Sequence, residues 1–200
     1  MNYLAHIYLS ENENEIIIGN FMADSIKGKN YLNYSKGLQT GILLHRFIDS
    51  FTDNHKTYRN SKKLLQPTFN HYSGIIMDIF YDYFLAINWK KYHKTPYEEF
   101  VLNFYELLEN NKNLLTLQTL QILPIMIKNN WLLKYRTSEG IKIILSQMSN
   151  RIKSKIPLEN SIDILEKNHS ILEKDFFIFF DDIIFASKLE LQLLKQTKAI

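Results

Sequence analysis

The sequence predicts an all-α protein, built as a single helical bundle that spans residues 1–200. Glycine and proline are scarce, with 6 and 4 copies among 200 residues, so the chain has few turn-formers. Long stretches are rich in Leu, Ile, Lys, Glu and Asn, and no segment alternates apolar and polar residues between turn dipeptides. A chain of this length is typical of one domain with a substantial core. The aromatic content of 14% indicates a core made largely of Phe and Tyr.

Five helices are predicted in the first half of the chain, where apolar residues recur every three or four positions. The third helix has this spacing between Leu38 and Ile42 and between Leu43 and Phe47, and Ile48 continues the apolar face. The fourth is basic and ends near Pro67, and the fifth is strongly apolar, so we expect it to be buried. In chain order, the five helices cover residues 2–9, 14–26, 35–53, 57–66 and 70–89.

Three prolines help to locate the remaining predicted helices. Pro96 suits the first turn of a helix that runs to about residue 110. Pro124 interrupts the apolar segment 117–133, and we expect a kink there. A further helix is predicted at 137–150. The stretch SKIPLENSIDIL then opens a long C-terminal helix, with Pro157 near its N-terminus.

The composition excludes several classes of protein and site. There is no cysteine, which excludes disulfides, thiolate metal sites and cysteine nucleophiles. The segment MNYLAHIYLSENENE lacks the basic region and the cleavage site of a signal peptide. The most apolar run, DFFIFFDDIIFAS, is interrupted by Asp181 and Asp182 and is too short to span a bilayer. We therefore expect a soluble, cytoplasmic protein.

The net charge of +3 indicates little about partners, but the basic residues are clustered. Two interpretations remain open: solvated helix faces, or a docking surface for an acidic partner. The sequence contains no recognised nucleic-acid-binding module, and its charge balance is not strongly basic. Neither feature therefore supports a nucleic-acid partner. The clusters are Lys27 and Lys29; Arg59, Lys62 and Lys63; Lys134 and Arg136; and Arg151, Lys153 and Lys155.

Polar residues four positions apart interrupt four of the predicted helices. The stretch GILLHRFIDSFTDNH has the apolar spacing of a packed helix, yet it is crowded with imidazole and carboxylate groups. Residues four apart share one face of a helix. A carboxylate is rarely buried unless it is paired or binds a metal, and Asp78 has the most apolar neighbours. The sets are Asn2 and His6; Asn20 and Asp24; His45, Asp49 and Asp53; and Asp78 and Asp82.

Imidazole and carboxylate groups together suit a divalent transition metal or magnesium, and helical bundles commonly build such sites from facing helices. The usual chemistry is hydrolysis with a metal-activated water. Arg46, next to His45, is suited to hold a phosphate oxygen. Simpler interpretations remain for single pairs: surface ion pairs, a helix cap at Asp53, or an exposed Asp82 paired with a lysine.

Several blocks of the chain together resemble the acyl carrier protein phosphodiesterase family. They are MNYLAHIYLS, GNFMADSIKG, GILLHRFIDSFTDNH, GIIMDIFYDYFLAINW, WLLKYRTSEGI and LSQMSNR, in that order. The family removes the 4′-phosphopantetheine group from holo-acyl carrier protein. The resemblance implies an all-helical fold, distantly related to His-Asp metal-dependent phosphohydrolases, and a manganese-dependent activity, with Mg²⁺ or Fe²⁺ as alternatives.

The family's motif positions fall on the polar residues described above. We expect metal ligands among His6, Asp24, His45, Asp49 and Asp78. Asp24, Arg46 and Asp82 are the expected catalytic groups, and Asn2, Asn20 and Asp53 are expected to orient the ligands. An acidic carrier protein would dock on Lys27, Lys29, Arg59, Lys62 and Lys63.

One position departs from the family pattern. The family often has the triplet DHF where this chain has Asp82-Tyr83-Phe84, and His55 or His71 is the available substitute if a histidine is required. Two other functions stay open: a phosphohydrolase of small nucleotides, and a non-catalytic helical binding protein. A glycine-rich phosphate loop is absent, which argues against a P-loop NTPase.

Overall fold

Helices are the only regular elements in the computed structural model, which describes residues 1–196. No strand occurs within these residues, so the all-α prediction is confirmed. No helix of the described part is long and apolar enough to cross a membrane. The α-helices are α1 (Tyr3–Leu9), α2 (Asn14–Met22), α3 (Lys36–Asn54), α4 (Lys56–Lys63), α5 (Gln66–Phe69), α6 (Ser73–Ile87), α7 (Trp89–Tyr92), α8 (Tyr97–Asn110), α9 (Leu117–Lys128), α10 (Ser138–Arg151), α11 (Ile162–Lys167) and α12 (His169–Gln196).

The buried side chains form one core, and aromatic rings dominate its centre. Helix α12 contributes Phe176 and Phe179, which meet Tyr81 of α6 at centroid distances of 5.6 and 5.2 Å. Tyr58 of α4 packs edge-on to the same tyrosine at 5.6 Å. Large rings bury much apolar surface each, so this cluster fixes α4, α6 and α12 against one another. The predicted Phe- and Tyr-rich core is confirmed.

Helices α2 and α3 approach each other closely because a glycine of each lies at the contact. A Cβ atom on Gly19 would lie 2.3 Å from the backbone oxygen of Leu38, and one on Gly41 would lie 2.2 Å from that of Ile16. Side chains at these positions would force the helices apart. The close approach brings Asn20, the neighbour of Gly19, against the face of α3 that carries His45.

Asp82 holds the first turn of α1. Its Oδ2 accepts a hydrogen bond from the backbone N–H of Leu4 at 2.7 Å, and its Oδ1 accepts one from Ala5 at 3.2 Å. Asn2 caps the same helix through a 2.8 Å hydrogen bond from the N–H of Tyr3. A carboxylate at a helix N-terminus satisfies N–H groups that have no partner within the helix. The fully buried Asp82 therefore fixes where α1 begins.

Asp78, the acid with the most apolar neighbours in the sequence, is not the more buried of the two acids of α6. Asp82 is fully buried, whereas the side chain of Asp78 is 24% exposed. Their neighbours in sequence are similarly apolar, so the difference comes from packing: Asp82 faces the N-terminus of α1. Burial raises the pKa of Asp82 to about 7. The hydrogen bonds from the two backbone N–H groups favour the charged form, but burial outweighs them.

The C-terminal segment is not one helix. A 3₁₀ turn at Leu158–Ser161 and the short α11 precede α12, and Asn168 separates the two α-helices. The Nδ2 of Asn168 donates to the backbone oxygen of Ile164 at 2.9 Å, while its own carbonyl accepts from the N–H of Leu172. Asparagine side chains compete with the helical backbone in this way, which explains the break.

Three other boundaries differ from the prediction. The second helix ends at Met22 and is followed by a 3₁₀ turn at Ala23–Ser25. The apolar segment 117–133 is helical only as far as Lys128, and this helix runs through Pro124. Pro96 lies one position before α8, as its N-cap. The prediction of a domain spanning 1–200 extends past the described residues.

Candidate metal centre

A cavity of about 400 Å³ opens between α1, α2, α3, α6 and α10. Its walls combine apolar side chains with a high density of charge. Carboxylates outnumber cationic side chains, an arrangement that suits a bound cation. The titratable and charged groups on the walls include His6, Asp24, His45, Asp49, Asp53, Asp78 and Arg151.

His6, His45 and Asp49 bring three potential ligand atoms within 4.8 Å of one another. The Nε2 of His6 lies 3.2 Å from Asp49 Oδ1, and the Nε2 of His45 lies 3.1 Å from Asp49 Oδ2. The imidazole rings stack with their centroids 4.1 Å apart. Because His45 and Asp49 are four apart on α3, one face of that helix supplies two groups, and α1 supplies the third.

Asn20 orients both histidines. Its Oδ1 lies 2.9 Å from the Nδ1 of His6 and 3.1 Å from the Nδ1 of His45, and its backbone oxygen lies 2.9 Å from the latter nitrogen. Its Nδ2 donates to the backbone oxygen of His6 and to Ser10 Oγ, which fixes the orientation of the amide. With Nδ1 as the donor on both rings, each Nε2 carries a lone pair directed away from Asn20. The amide thus acts as the partner that metal-ligating histidines usually require.

The Nε2 of His6 is buried and has no hydrogen-bond partner among the described residues. The contact with Asp49 at 3.2 Å is close but does not have hydrogen-bond geometry. A buried polar atom without a partner is costly, and such cases call for an explanation. Two imidazole nitrogens and a carboxylate are a common donor set for a divalent metal, so the residues present fit an ion here.

The surroundings of the group shift the pKa values of its two histidines in opposite directions. Burial, with the nearby charge of His45, lowers the pKa of His6 to about 4. Burial alone would also lower the pKa of His45, but hydrogen bonds to Asp24 and Asp49 outweigh it and raise that pKa to about 9. Burial opposes the charge of Asp49 as well, yet its close contacts with the two imidazoles lower its pKa. In the metal-free protein, a proton on His45 offsets the carboxylate charge.

Asp24 and Asp78 lie at the edge of this group rather than within it. Asp24 is 76% exposed, and its Oδ1 lies 3.2 Å from the Nε2 of His45, a contact that lowers the pKa of Asp24. Asp78 accepts a 2.7 Å hydrogen bond from the hydroxyl of Tyr58, and its Oδ1 lies 3.2 Å from the backbone nitrogen of Met1. The exposed Asp53 also lines the cavity.

Two of the predicted catalytic groups do not line the cavity. The Nη2 of Arg46 donates to the backbone oxygen of Ile26 at 3.0 Å, and its guanidinium lies 5.2 Å from the ring centroid of Tyr31. These contacts hold it against the 3₁₀ turn at Gly28–Asn33. Asp82 is directed to α1. Arg46 and Asp82 therefore support neighbouring backbone, and neither is among the residues that line the cavity.

Tyr83 does not line the cavity either. Its hydroxyl lies 3.0 Å from the Nε2 of His169, at the contact between α6 and α12. The proposed substitutes are equally remote, because His55 pairs with Asp182 at 3.1 Å and His71 is exposed beside Tyr72. The departure from the family triplet therefore falls outside the cavity.

Arg151 is the cation on the cavity wall that the sequence analysis did not assign to the site. It ends α10, and its Nη2 donates to the Sδ of Met148 at 3.1 Å. No ion pair within residues 1–196 involves it. Its only signal in the sequence was membership of the basic cluster at 151–155. An arginine on the cavity wall without a carboxylate partner is available for a phosphate.

The predicted docking residues lie near wall residues along the chain. Lys27 and Lys29 are exposed and follow Asp24 in the chain. Lys27 lies just before the 3₁₀ turn at Gly28–Asn33, and Lys29 lies within it. On α4, Arg59 and Lys63 are exposed, while the Nζ of Lys62 lies 5.5 Å from the ring centroid of Tyr58, which lines the cavity.

Comparisons with known proteins point to one family. The family model described as acyl carrier protein phosphodiesterase matches residues 1–183. A relative of that name from Photorhabdus laumondii is 26% identical over 181 residues, covering 90% of this chain and 91% of its own. One from Pectobacterium atrosepticum is 28% identical over 182 residues, covering 90% and 94%.

A relative from Escherichia coli O157:H7, also named acyl carrier protein phosphodiesterase, is 28% identical over 192 residues, with 90% and 94% of the chains covered. No solved structure matches the chain, so the likeness to His-Asp phosphohydrolases stays a prediction. The family model spans the helices that carry the whole cavity wall, from Met1 to Arg151. The chain therefore belongs to the acyl carrier protein phosphodiesterase family.

Proposed function

We propose that this protein is a metal-dependent phosphodiesterase that converts holo-acyl carrier protein to the apo form. Water would attack the phosphorus, the bond between phosphorus and the serine oxygen would break, and that oxygen would take up a proton. The products are apo-carrier protein and 4′-phosphopantetheine. The observation that carries the proposal is the buried, partnerless Nε2 of His6 beside His45 and Asp49, in a chain of this family.

His6, His45 and Asp49 are the residues that would hold the ion, with Asp24 and Asp78 as further carboxylates at the edge. A nitrogen and oxygen donor set without thiolate suits Mn²⁺, and Mg²⁺ or Fe²⁺ are the alternatives. A bound divalent ion lowers the pKa of water and offsets charge on a phosphoryl group. Asn20 keeps the two imidazoles in the tautomer that such binding requires.

The remaining groups of the cavity have distinct tasks in this proposal. Arg151 neutralises phosphoryl oxygens, the task that the sequence had suggested for Arg46. Asp24 is exposed to solvent and lies beside His45 on the cavity wall, so it is placed to accept a proton from water. The same group would return that proton to the departing serine oxygen. Asp53 and Asn2 orient neighbouring groups on the wall.

The proposed protein substrate is a small acidic protein, and the basic residues near the cavity suit it. Lys27 and Lys29, which follow Asp24 in the chain, and Arg59, Lys62 and Lys63 of α4 would attract its negative charge. Complementary charge of this kind mainly raises the association rate. The carrier's serine-linked arm would then reach into the cavity.

The test is incubation of the purified protein with holo-acyl carrier protein, read by the intact mass of the carrier. Parallel samples contain Mn²⁺, Mg²⁺, Fe²⁺ or a chelator. We expect loss of the phosphopantetheine mass with metal and none with chelator. His45→Gln should abolish the loss, whereas Asn30→Ala, an exposed site on the 3₁₀ turn, should not.

An intact holo-carrier after incubation with folded, metal-loaded protein would overturn the proposal. The same samples should then be given guanosine polyphosphates and cyclic dinucleotides. Their hydrolysis would identify a small-nucleotide phosphohydrolase with the same metal centre.

A further inference from the structure

A smaller cavity of about 100 Å³ adjoins, along α10, the larger cavity that contains His6, His45 and Asp49, which we call the metal cavity. We call the smaller cavity the side pocket and define it by Trp131, Tyr135, Ile144 and Gln147. Both cavities are also lined by Asn2, Tyr3, Met148 and Arg151, so the two spaces meet at these residues. Its volume is several times the roughly 10–15 Å³ that one water needs, which leaves room for several carbon atoms.

The side pocket differs chemically from the metal cavity. Trp131, Tyr135 and Ile144 make its own walls largely apolar, and no carboxylate lines it. Arg151 stands where the apolar space meets the charged one. Ligand sites commonly combine such apolar walls with a few polar groups that set orientation.

One polar atom of a residue that lines the side pocket lacks a partner. The Nε1 of Trp131 is buried and makes no hydrogen bond to any described residue. A buried indole N–H usually finds an acceptor, since leaving it unpaired costs free energy. A carbonyl oxygen of a ligand in the side pocket would supply that acceptor.

We propose that the side pocket binds the pantetheine arm of the substrate, an inference that rests on the proposed function. From the phosphate outward, this arm carries a CH₂ group, a carbon with two methyl groups, a hydroxyl and then an amide. The residues of the side pocket offer a partner for each part of the arm: Arg151 for the phosphate, Ile144 and Met148 for the methyl groups, and Trp131 Nε1 for the amide carbonyl. A nucleotide has no branched apolar segment at this distance from its phosphate, so the side pocket selects for the arm.

The first experiment measures binding rather than turnover. Isothermal titration of the manganese-loaded protein uses free 4′-phosphopantetheine, with inorganic phosphate as the comparison. Ile144→Phe fills the side pocket from α10, and Ile143→Phe adds the same bulk at the exposed neighbouring position. Trp131→Phe removes the N–H while keeping an aromatic ring.

We expect 4′-phosphopantetheine to bind at least tenfold more tightly than phosphate. Ile144→Phe should weaken the former by about 10- to 200-fold, the usual worth of a small steric change in an apolar pocket. It should change phosphate affinity far less, and Ile143→Phe should leave both at wild-type values. Trp131→Phe should weaken the binding of 4′-phosphopantetheine and leave that of phosphate unchanged. This variant tests the inference if Ile144→Phe does not fold.

Wild-type affinity for 4′-phosphopantetheine in both Ile144→Phe and Trp131→Phe would overturn the inference. Equal affinities of the wild-type protein for phosphate and 4′-phosphopantetheine would overturn it as well. Metal-dependent cleavage of holo-carrier protein with either of these results would leave the proposed function standing. In that case, a wild-type KM for holo-carrier in both variants would also exclude a carrier side chain as the occupant.

Discussion

Asn20 and His45 meet through two contacts at a single nitrogen. The Nδ1 of His45 lies 2.9 Å from the backbone oxygen of Asn20 and 3.1 Å from its Oδ1. The second contact also ties His45 to His6, because the same Oδ1 lies 2.9 Å from the Nδ1 of His6. One amide therefore sets the orientation of both imidazoles in the candidate metal centre.

Replacing Asn20 with Ala should weaken metal binding by about 10- to 100-fold, the usual effect of losing a group that orients metal ligands. Both imidazoles would be free to rotate or to change tautomer. Competition with a chromophoric chelator measures the affinity. Asn30→Ala is the matched control on an exposed turn. Equal affinities for the two variants would contradict an orienting amide.

Gly41→Ala should destabilise the protein by roughly 1–3 kcal/mol, the usual cost of overpacking, because the new methyl group would meet the backbone of α2 at 2.2 Å. Urea unfolding with added chelator measures the change. Gly74→Ala on α6 is the control, since a Cβ there meets no atom within 4 Å. Similar stabilities for the two variants would mean that α2 can move without cost.

Arg151→Met should lower kcat/KM for the holo-carrier by about 100-fold, the effect typical of removing one group that stabilises developing charge. Arg46→Met should have a much smaller effect, because Arg46 binds the backbone of Ile26. Lys153→Met controls for the loss of a nearby exposed charge. A large loss in Arg46→Met with a small loss in Arg151→Met would restore the assignment suggested by the sequence.

Asp82→Asn should change the pH dependence of stability. Burial raises the pKa of Asp82 from 3.8 to about 7, so between these values the folded protein keeps a proton that the unfolded chain has released. Wild-type stability relative to the Asn variant is therefore highest below pH 4 and falls as pH rises to 7. The shift of about three units corresponds to on the order of 4 kcal/mol.

The measurement is urea unfolding of both proteins with chelator between pH 4 and 8, since other groups cancel in the difference. A difference in unfolding free energy that stays constant over this range would show that Asp82 has an ordinary pKa in the folded protein.

Salt should slow the reaction with holo-carrier protein, because screening weakens attraction between the carrier and the basic residues beside the cavity. Raising ionic strength from 0.01 to 0.15 M shortens the Debye length from about 30 to about 8 Å. We expect kcat/KM to fall while kcat stays near its low-salt value. Lys27→Glu with Lys29→Glu should lower kcat/KM further and flatten the salt response. A salt-independent kcat/KM in the wild type would exclude electrostatic docking.

Much of the fold and part of the site followed from local patterns. Apolar spacing located most of the helices, since an amphipathic helix has the same period in any context. The four-residue spacing of His45 and Asp49 likewise predicted a shared helix face, and they do meet. These features depend on one helix at a time.

Features that depend on two helices were not visible in the sequence. Asp78 and Asp82 have similarly apolar neighbours, and only the approach of α1 decides which one is buried. Arg151 reaches the cavity because α10 packs near α1 and α6, a contact between distant parts of the chain. Arg46 beside His45 looked suitable, but adjacent residues on a helix point in different directions.

The hold of Asp82 on α1 also determines when the metal centre can form during synthesis. Helix α1 has seven residues, too few to be stable in isolation. The carboxylate that fixes Leu4 lies 78 residues further along the chain, so the ribosome adds it well after His6. A nascent chain that has not yet reached α6 therefore offers no ordered histidine pair, and in the proposed metal centre the ion would bind only after this helix is complete.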